Sequence, residues 1–358
     1  MKLSLALGSL ILFVNYCFGI QNDIKVHWPS VIQNNDEWFA GPEAVRIGDN
    51  LLLFQKDNGG WNKNIDMAAE LYENKKKQLL AEKNQLEGTT IDNGATHTQL
   101  RYLAKLFSVT KLERFKESFI VGLDYLLKAQ YPNGGWPQFY PIIKGYYEHI
   151  TYNDDAMIGV MNLLRDVAKR NGPYDFVDNA RVEKAQEAIN KGLEIILATQ
   201  VKVNGKLTIW CAQHDVSTLE PAKARSYELP SLSGKESVEI LEYLMKIEKP
   251  TEAVKNAIRS GVKWFQEAKV MGYRVDWIRD NTTEKIVDRV MVKDVNGGPL
   301  WGRFNDIQTN KIMFVGRDGI VKDSLNKIER ERRVGYSYVD GYATKLLEVD
   351  YPEWEKKY

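Results

Sequence analysis

The sequence is poor in the residues that crosslink chains or bind transition metals. Of its two cysteines, Cys17 falls in a leader and Cys211 stands alone, so the exported chain can form no intramolecular disulfide and must be stable through core packing. A single cysteine of this kind reads as a small buried hydrophobe. The four histidines, His27, His97, His149 and His214, show neither HExxH nor CxxC/His spacing, which argues against a zinc site. No phosphate-binding glycine loop and no GxSxG elbow is present. Ser231 and Ser233 have no base beside them in sequence and read as helix-capping residues. Charge of one sign is also lacking: the formal net charge is +1, with no sustained Lys/Arg stripe, so the electrostatic footprint of a nucleic-acid partner is missing. A neutral or locally charged ligand is expected.

Long apolar runs are confined to the start. "MKLSLALGSLILFVNYCFG" has one early cation, Lys2, an apolar run from Leu3 to Val14, then small or polar residues before "IQND". That is the pattern of a secretory signal peptide, and the run is too short for a transmembrane helix. Cys17 makes a poor lipidation site because Tyr16 stands where a small residue is needed. We expect residues 1–19 to be a signal peptide, residues 20–358 to form one domain, and the product to be a secreted or periplasmic monomer, with lipid anchoring at Cys17 the lesser alternative.

What the chain does have is a repeat. "GDNLLLFQ" (48–55), "GLDYLLKAQ" (122–130), "GLEIILATQ" (192–200) and "GVKWFQEAK" (261–269) align on their glycines. They recur at intervals of roughly 70 residues and are apolar at helical spacing. The first three run into cognate exits, "QKDNGGW" to Trp61, "QYPNGGW" to Trp136 and the looser "QVKVNGKLTIW" to Trp210, where Asn-Gly supplies the left-handed backbone that stops a helix. The extra rings of "YPNGGWPQFYP", Tyr131, Phe139 and Tyr140, are expected to pack this exit, and the open question is whether Trp136 borders a cleft. Second helices are expected over 94–108, 154–169 and 233–247, with Asp154 and Ser233 as N-caps. Helical hairpins that cannot bury their faces alone must stack. The expected fold is therefore mainly α, an α/α toroid, with short strands and irregular loops over 270–330, where "YRVDWI", "KIVDRVMVKD" and "KIMFVG" alternate with turns.

The inner helices of such a ring aim the loops before them into one cleft. Those loops are "TTIDNGATHTQ" (89–99), "HITYNDDAM" (149–157) and "ARSYELPSLSGKES" (224–237), and they gather Asp92, Asn93, Asp154 and Asp155 with Arg225, Tyr227 and Glu228. Such oxygen donors suit calcium. The same acids read as helix caps and turn residues, or as the acid and base of a glycosidase. Arg225 precedes a segment of little helical signal; it is a candidate for carboxylate recognition or a partner for Glu228 in an ion pair. Arg303 and Arg317 add further guanidinium groups that could clamp an acidic polymer.

"IDNGATHTQLRYLAK", "LDYLLKAQYPNGGWPQFYP", "ITYNDDAM", "VNGKLTIWCAQHD", "ARSYELPSLSGKESVEILEYLM" and "GPLWGRFND" followed by "GRDGIVK" resemble the pectate lyases of polysaccharide lyase family ten, in order over about residues 36–355. The resemblance implies a catalytic α/α toroid that cleaves polygalacturonate by calcium-dependent β-elimination. It implies Arg225 as the Brønsted base, Asp154 with Asp92 and Asn93 at a Ca2+ that bridges to the substrate carboxylate, and Asp155 as the rival to its neighbour. Arg303, Arg317, Tyr227 and Asn93 are then the substrate-binding candidates. Asn305 replaces an expected aromatic residue and could alter a subsite, while Gly341-Tyr342 replaces a Trp-Pro pair and should affect packing only. An arginine base needs neighbouring cations, calcium and desolvation to favour its neutral form. The alternatives are an inverting glycoside hydrolase using Asp92 and Asp154, and a non-catalytic pectin-binding protein.

Overall fold

The computed structural model describes residues 28–358, so the expected signal peptide and Cys17 lie outside the described residues. Seven helices of ten residues or more follow one another within it: α1 (Pro42–Phe54), α2 (His97–Thr110), α3 (Glu113–Ala129), α4 (Ala156–Ala168), α5 (Asn179–Thr199), α6 (Glu236–Met245) and α7 (Glu252–Ala268). The four glycine-aligned segments end α1, α3, α5 and α7. These pack on one another in sequence to form an outer layer, while α2, α4 and α6 pack side by side within it. The result is a mainly helical α/α toroid with a few short strand pairs and, among the described residues, no closed sheet.

The repeat is held by the same few contacts each time. The shared glycine is a notch for a side chain of the adjacent inner helix. A Cβ at Gly122 would lie 2.6 Å from Leu100 Cδ2, and one at Gly261 would lie 2.9 Å from Leu241 Cδ2. The tryptophan that closes each exit returns its indole N–H to a carbonyl in the last turn of its own outer helix, which for Leu51 is a second bond beside the one from Gln55 N–H. Trp61 donates to Leu51 (2.9 Å), Trp136 to Leu126 (2.9 Å) and Trp210 to Ile196 (2.7 Å). Trp301 makes the same bond to Phe265 at 2.8 Å, so the fourth repeat also has its exit, interrupted by an inserted hairpin that conceals it in the sequence. The glutamine that follows each of the first three outer helices bridges forward. Gln55 Nε2 donates to Gly59 O (3.0 Å) in its own loop and to Ser118 O (2.9 Å) in α3, and Gln130 and Gln200 repeat the pattern toward α5 and α7.

The question over Trp136 is thereby answered: it has no exposed surface and belongs to the core. Tyr131 donates to Glu148 O, Tyr140 packs edge-on against Tyr125, and Phe139 against Tyr147. Cys211 is a buried free thiol.

The inner helices begin later than the sequence suggests. Asn93 and Thr96 ahead of α2, and Asp154 and Asp155 ahead of α4, all have positive φ, between 50° and 65°. Left-handed backbone cannot continue a right-handed helix, so these residues form irregular turns. Asp154 and Ser233 are consequently not N-caps: Asp154 turns to other partners, and Ser233 Oγ donates to the Glu236 carboxylate. The tail holds an antiparallel hairpin, β1 (Tyr273–Arg279) with β2 (Ile286–Lys293), and two-residue strands at Trp301–Gly302, Phe314–Val315, Val321–Lys322 and Val339–Asp340. A second apolar cluster around Tyr227, Phe304, Tyr336 and Tyr338 lies beneath it. Asn305 is buried in this region and donates to Leu232 O and Gly302 O, which makes it a fixed structural strut and no subsite wall. Tyr342 donates to Ser337, a packing role.

Gln55 tests the stitching. Gln55→Leu keeps the volume but strands buried acceptors at Gly59 and Ser118 and the Ser118 hydroxyl, each worth about 1–3 kcal/mol when left unpaired. A lowered urea midpoint at unchanged slope, equivalent to about 2–4 kcal/mol, is the expected result of equilibrium unfolding.

Candidate active site

The loops before the inner helices do converge. Lys63, Asp92, Asn93, Gln138, Tyr146, Asn153, Asp154, Gln213, Arg225 and Glu228 line one small cleft of about 70 Å³ at the helix N-termini. A much larger groove of about 980 Å³ runs over the outer layer between α1 and α3 and contains none of these residues.

Asp92 is almost fully buried. Its Oδ2 accepts from the Lys63 ammonium and from Gln138 Nε2 (2.6 Å), and its Oδ1, also buried, has no partner among the described residues. Asn93 is exposed at the rim, in left-handed backbone, and donates to Asn64 Oδ1 at 3.0 Å. Asp154 Oδ1 accepts from Lys235 Nζ and Arg303 Nη2, both at 2.9 Å, while Oδ2 accepts from Asn153 Nδ2 at 2.7 Å. Burial opposes ionisation of Asp154, yet Arg303 and Lys235 outweigh it and hold the carboxyl well below the ordinary carboxylate range.

Asp155 is separated from its neighbour. It does not line the cleft, and its carboxylate lies close to Gly159, where His97 also packs. Burial raises its pKa to about 6, against weaker opposing pulls from Arg101 and Lys235. The sequence placed these two acids as equals; the two consecutive left-handed residues send them to different surroundings.

Arg303 is 4% exposed, and its Nη2 serves Glu236, Asp154 and Asn153 (3.0 Å) at once. Its guanidinium lies over the Tyr336 ring, 4.3 Å from the centroid. Burial works against its charge, but Glu236 and Asp154 keep it firmly protonated. Arg225 is more open. Its Nε donates to Glu228 Oε2 at 2.7 Å and its Nη2 to Oε1, and its guanidinium stacks on Tyr227, 4.9 Å from the ring centroid. Here too burial would lower the pKa, and the paired Glu228 carboxylate reverses the effect and raises it. The expectation that the surroundings of Arg225 favour its neutral form is therefore not met: burial acts in that direction, but Glu228 outweighs it and favours the charged guanidinium.

Tyr227 is buried between the guanidinium groups of Arg225 and Arg332, so it is a shelf for cations and offers a substrate no open face. Arg317 is exposed on a turn that rests near Ser226 O, but its guanidinium forks onto Glu331 (3.1 and 2.9 Å) and does not line the cleft. Sequence reasoning missed Lys63, Gln138, Asn153, Gln213, Lys235 and Glu236. A signal for some of them was present: Lys63, Gln138, Gln213 and Arg303 each stand two or three residues beyond an exit tryptophan, so the turn that returns the indole to the outer helix passes the next polar side chain inward.

The fold and site thus combine a mainly helical toroid with a cleft at its inner helix ends that carries paired carboxylates and cations, and comparison with known proteins gives the class of enzyme to which they belong. The model of the family described as pectic acid lyase matches residues 55–347. A family 10 polysaccharide lyase from Cellvibrio cellulosa superimposes with a TM-score of 0.76 at 31% identity, over 93% of this chain and 97% of that one. A point mutant of a family 10 polysaccharide lyase from Cellvibrio cellulosa, solved in complex with trigalacturonic acid, gives a TM-score of 0.75 at 32% identity, over 88% and 96% of the two chains. No curated protein sequence matches. The chain belongs to the pectic acid lyase family, that is, to the family 10 polysaccharide lyases, and it is a lyase acting on polysaccharides. Among the described residues no helix is long and apolar enough to cross a membrane.

The raised pKa of Asp155 has a sign that can be checked. Below the unfolded value near 3.8 both states are neutral; as pH rises toward 6 the unfolded chain ionises first, so stability is lost across that window and stays lost above it. Asp155→Asn should therefore be neutral at pH 3.5 and stabilising by about 2 kcal/mol at pH 7.5, as read by urea unfolding at both pH values.

Proposed function

We propose that this protein is an exported pectate lyase that cleaves α-1,4-linked polygalacturonate, the demethylated form of pectin, by calcium-dependent β-elimination with Arg225 as the Brønsted base. The observation that carries the reading is the meeting of Asp92, Asp154 and Arg225 in one cleft of a pectic acid lyase fold. The ligand of the Cellvibrio cellulosa mutant, an oligomer of galacturonic acid, supports the substrate class. The leader supports export, and residues 20–358 act as one catalytic domain.

The residues present fit a calcium ion. Asp92 Oδ1 is a buried carboxylate oxygen without a partner, Asp154 lies across the same cleft, and Asn93 and Asn153 carry amide oxygens nearby. Among the described residues no group of three or more His, Cys, Asp or Glu side chains gathers at one point, so two acids from the protein would share the ion with the substrate carboxylate and water. When bound, calcium would withdraw charge from the carboxylate next to C5 and so acidify the C5 proton. The chain's own residues do the remainder. Lys63, Lys235 and Arg303 surround the two acids with fixed positive charge that stabilises the enediolate-like transition state. Arg225, open to the cleft, takes the C5 proton. The C–H electron pair becomes the C4–C5 double bond as the C4–O bond breaks, and water supplies the proton to the departing oxygen. Asn93 at the rim and, after release from Glu331, Arg317 are assigned to the substrate, while Arg303, buried and held by Glu236, serves it indirectly by fixing Asp154.

The hydrolase alternative fares worse on this geometry. An inverting glycosidase needs one of its two carboxyls protonated, whereas Asp154 is paired with Lys235 and Arg303 and Asp92 with Lys63, so neither is placed as the acid.

Incubation with polygalacturonate should produce the ultraviolet absorbance of a double bond conjugated to the C6 carboxylate, and a chelator should abolish it. New reducing ends without that absorbance would refute the lyase reading. Asp154→Asn should lose at least a hundredfold in turnover, while Asp155→Asn retains it within a few-fold, and Arg225→Lys, lacking the planar fork, should be nearly inactive. Because the ion is shared with the substrate, calcium should bind several-fold more tightly in the presence of a galacturonate oligomer, and calorimetry should show the reciprocal gain in oligomer affinity.

A further inference from the structure

We infer that Glu228 and Tyr336 are positioning residues that lock Arg225 by one edge and leave Nη1 as its reacting nitrogen. The inference rests on the reading of Arg225 as base. Glu228 is 6% exposed, and its two oxygens are fully committed: Oε2 accepts from Arg225 Nε (2.7 Å) and from the Arg225 backbone N–H (3.1 Å), while Oε1 accepts from Arg225 Nη2 and from the Tyr336 hydroxyl (2.8 Å). The segment is closed on itself as well, since Glu228 N–H donates to Arg225 O and Ala224 N–H to Glu228 O, both at 3.0 Å.

The consequence lies in which nitrogen is left over. Nε and Nη2 face Glu228; Nη1 has no hydrogen-bond partner among the described residues, and the side chain keeps 41% of its surface exposed at the cleft. A neutral guanidine that has lost its proton from Nη1 still donates both bonds to Glu228, so its orientation survives deprotonation. When Nη1 takes the C5 proton, the C–H bond breaks, an N–H bond forms, and the new guanidinium is stabilised by the carboxylate already beside it. Rings complete the mount. Tyr227 lies under the Arg225 guanidinium, and Tyr336 lies 5.7 Å from it while carrying Arg303 at 4.3 Å. The other ionisable groups facing this assembly are Arg332 across Tyr227 and Tyr146 on the cleft wall. Tyr336 is thus the element that holds Glu228 and the two arginines in one register.

Glu228→Gln retains shape but surrenders one acceptor and the charge; Tyr336→Phe retains the ring and surrenders the hydroxyl. For Glu228→Gln we expect a kcat on polygalacturonate at least about tenfold lower with KM within about twofold, since a misaligned base loses turnover and not substrate affinity. Tyr336→Phe should lower kcat several-fold in the same pattern, and it guards the test if the Glu228 variant fails to fold. Without the carboxylate the guanidinium is less favoured, so the rising limb of kcat against pH should move to lower pH in Glu228→Gln, a shift that a merely structural defect would not produce. Wild-type kcat, or a raised KM at unchanged kcat, in a folded Glu228→Gln protein would overturn the inference. Arg225→Ala separates the two readings: if it still forms unsaturated product, the base assignment itself falls, whereas an inactive Arg225→Ala beside a fully active Glu228→Gln removes only the positioning role.

Discussion

A buried arginine must be answered by acids, and the arrangement of the cleft follows from how Arg303 is answered. Glu236, at the start of α6, has no exposed surface, and Arg303 has almost none. Such a pair adds little net stability over apolar residues of similar size, but removing either partner strands a buried charge at a cost of about 3–5 kcal/mol. The pair therefore acts as a register. It pins the exit of the fourth repeat to the inner helix of the third and leaves one nitrogen, Nη2, aimed at Asp154 and Asn153 in the second. Three repeats meet at one atom, and the position of Asp154 in the cleft depends on all three.

The same principle explains how a nearly neutral chain can carry so charged a site. Lys63 faces Asp92, Lys235 and Arg303 face Asp154 and Glu236, and Arg225 faces Glu228, four cations against four acids. Each charge is fixed in place by its opposite and little field extends beyond the cleft. A divalent cation and a polyuronate entering together bring charges of both signs, so they can exchange partners with this set without leaving a buried charge unpaired. Entry of either alone would unbalance it. On the proposed reading, a reciprocal strengthening of calcium and substrate would follow from that balance, and the near-zero formal net charge of the sequence accords with it.

Much of the fold was legible because it repeats. A glycine notch recurs four times in the sequence and a glutamine bridge with its exit tryptophan three times, and because each has one structural use, every copy is a further measurement of the same constraint. The fourth exit was hidden because an inserted hairpin separates Lys269 from Trp301, which lengthens the loop without altering the bond it makes. The site was legible in part. Asp92, Asp154 and Arg225 stand in loops that precede inner helices, and the ring topology brings such loops together. The difference between Asp154 and Asp155 was not legible, since it depends on a left-handed pair of backbone angles that composition does not encode. Nor were the cations: Lys63 and Lys235 look like ordinary solvated lysines until the chain is closed and each finds a buried acid.

Fold and site are finally not separable quantities here. Thr96 has φ 65° and ψ −58°, a costly conformation for a β-branched residue, and it is held by bonds to the loops on either side. Its hydroxyl donates to Thr90 O at 2.8 Å and accepts from the Trp61 backbone N–H at 3.2 Å. Trp61 is itself fixed by the indole bond that ends α1, and Lys63 two residues on pairs with Asp92. The strain that delays the start of α2, and so frees Asp92 and Asn93 for the cleft, is thus balanced by the stitch that closes the first repeat. A change that loosens the stitch allows Thr96 to relax toward helix, and the first carboxylate of the site would turn away with it.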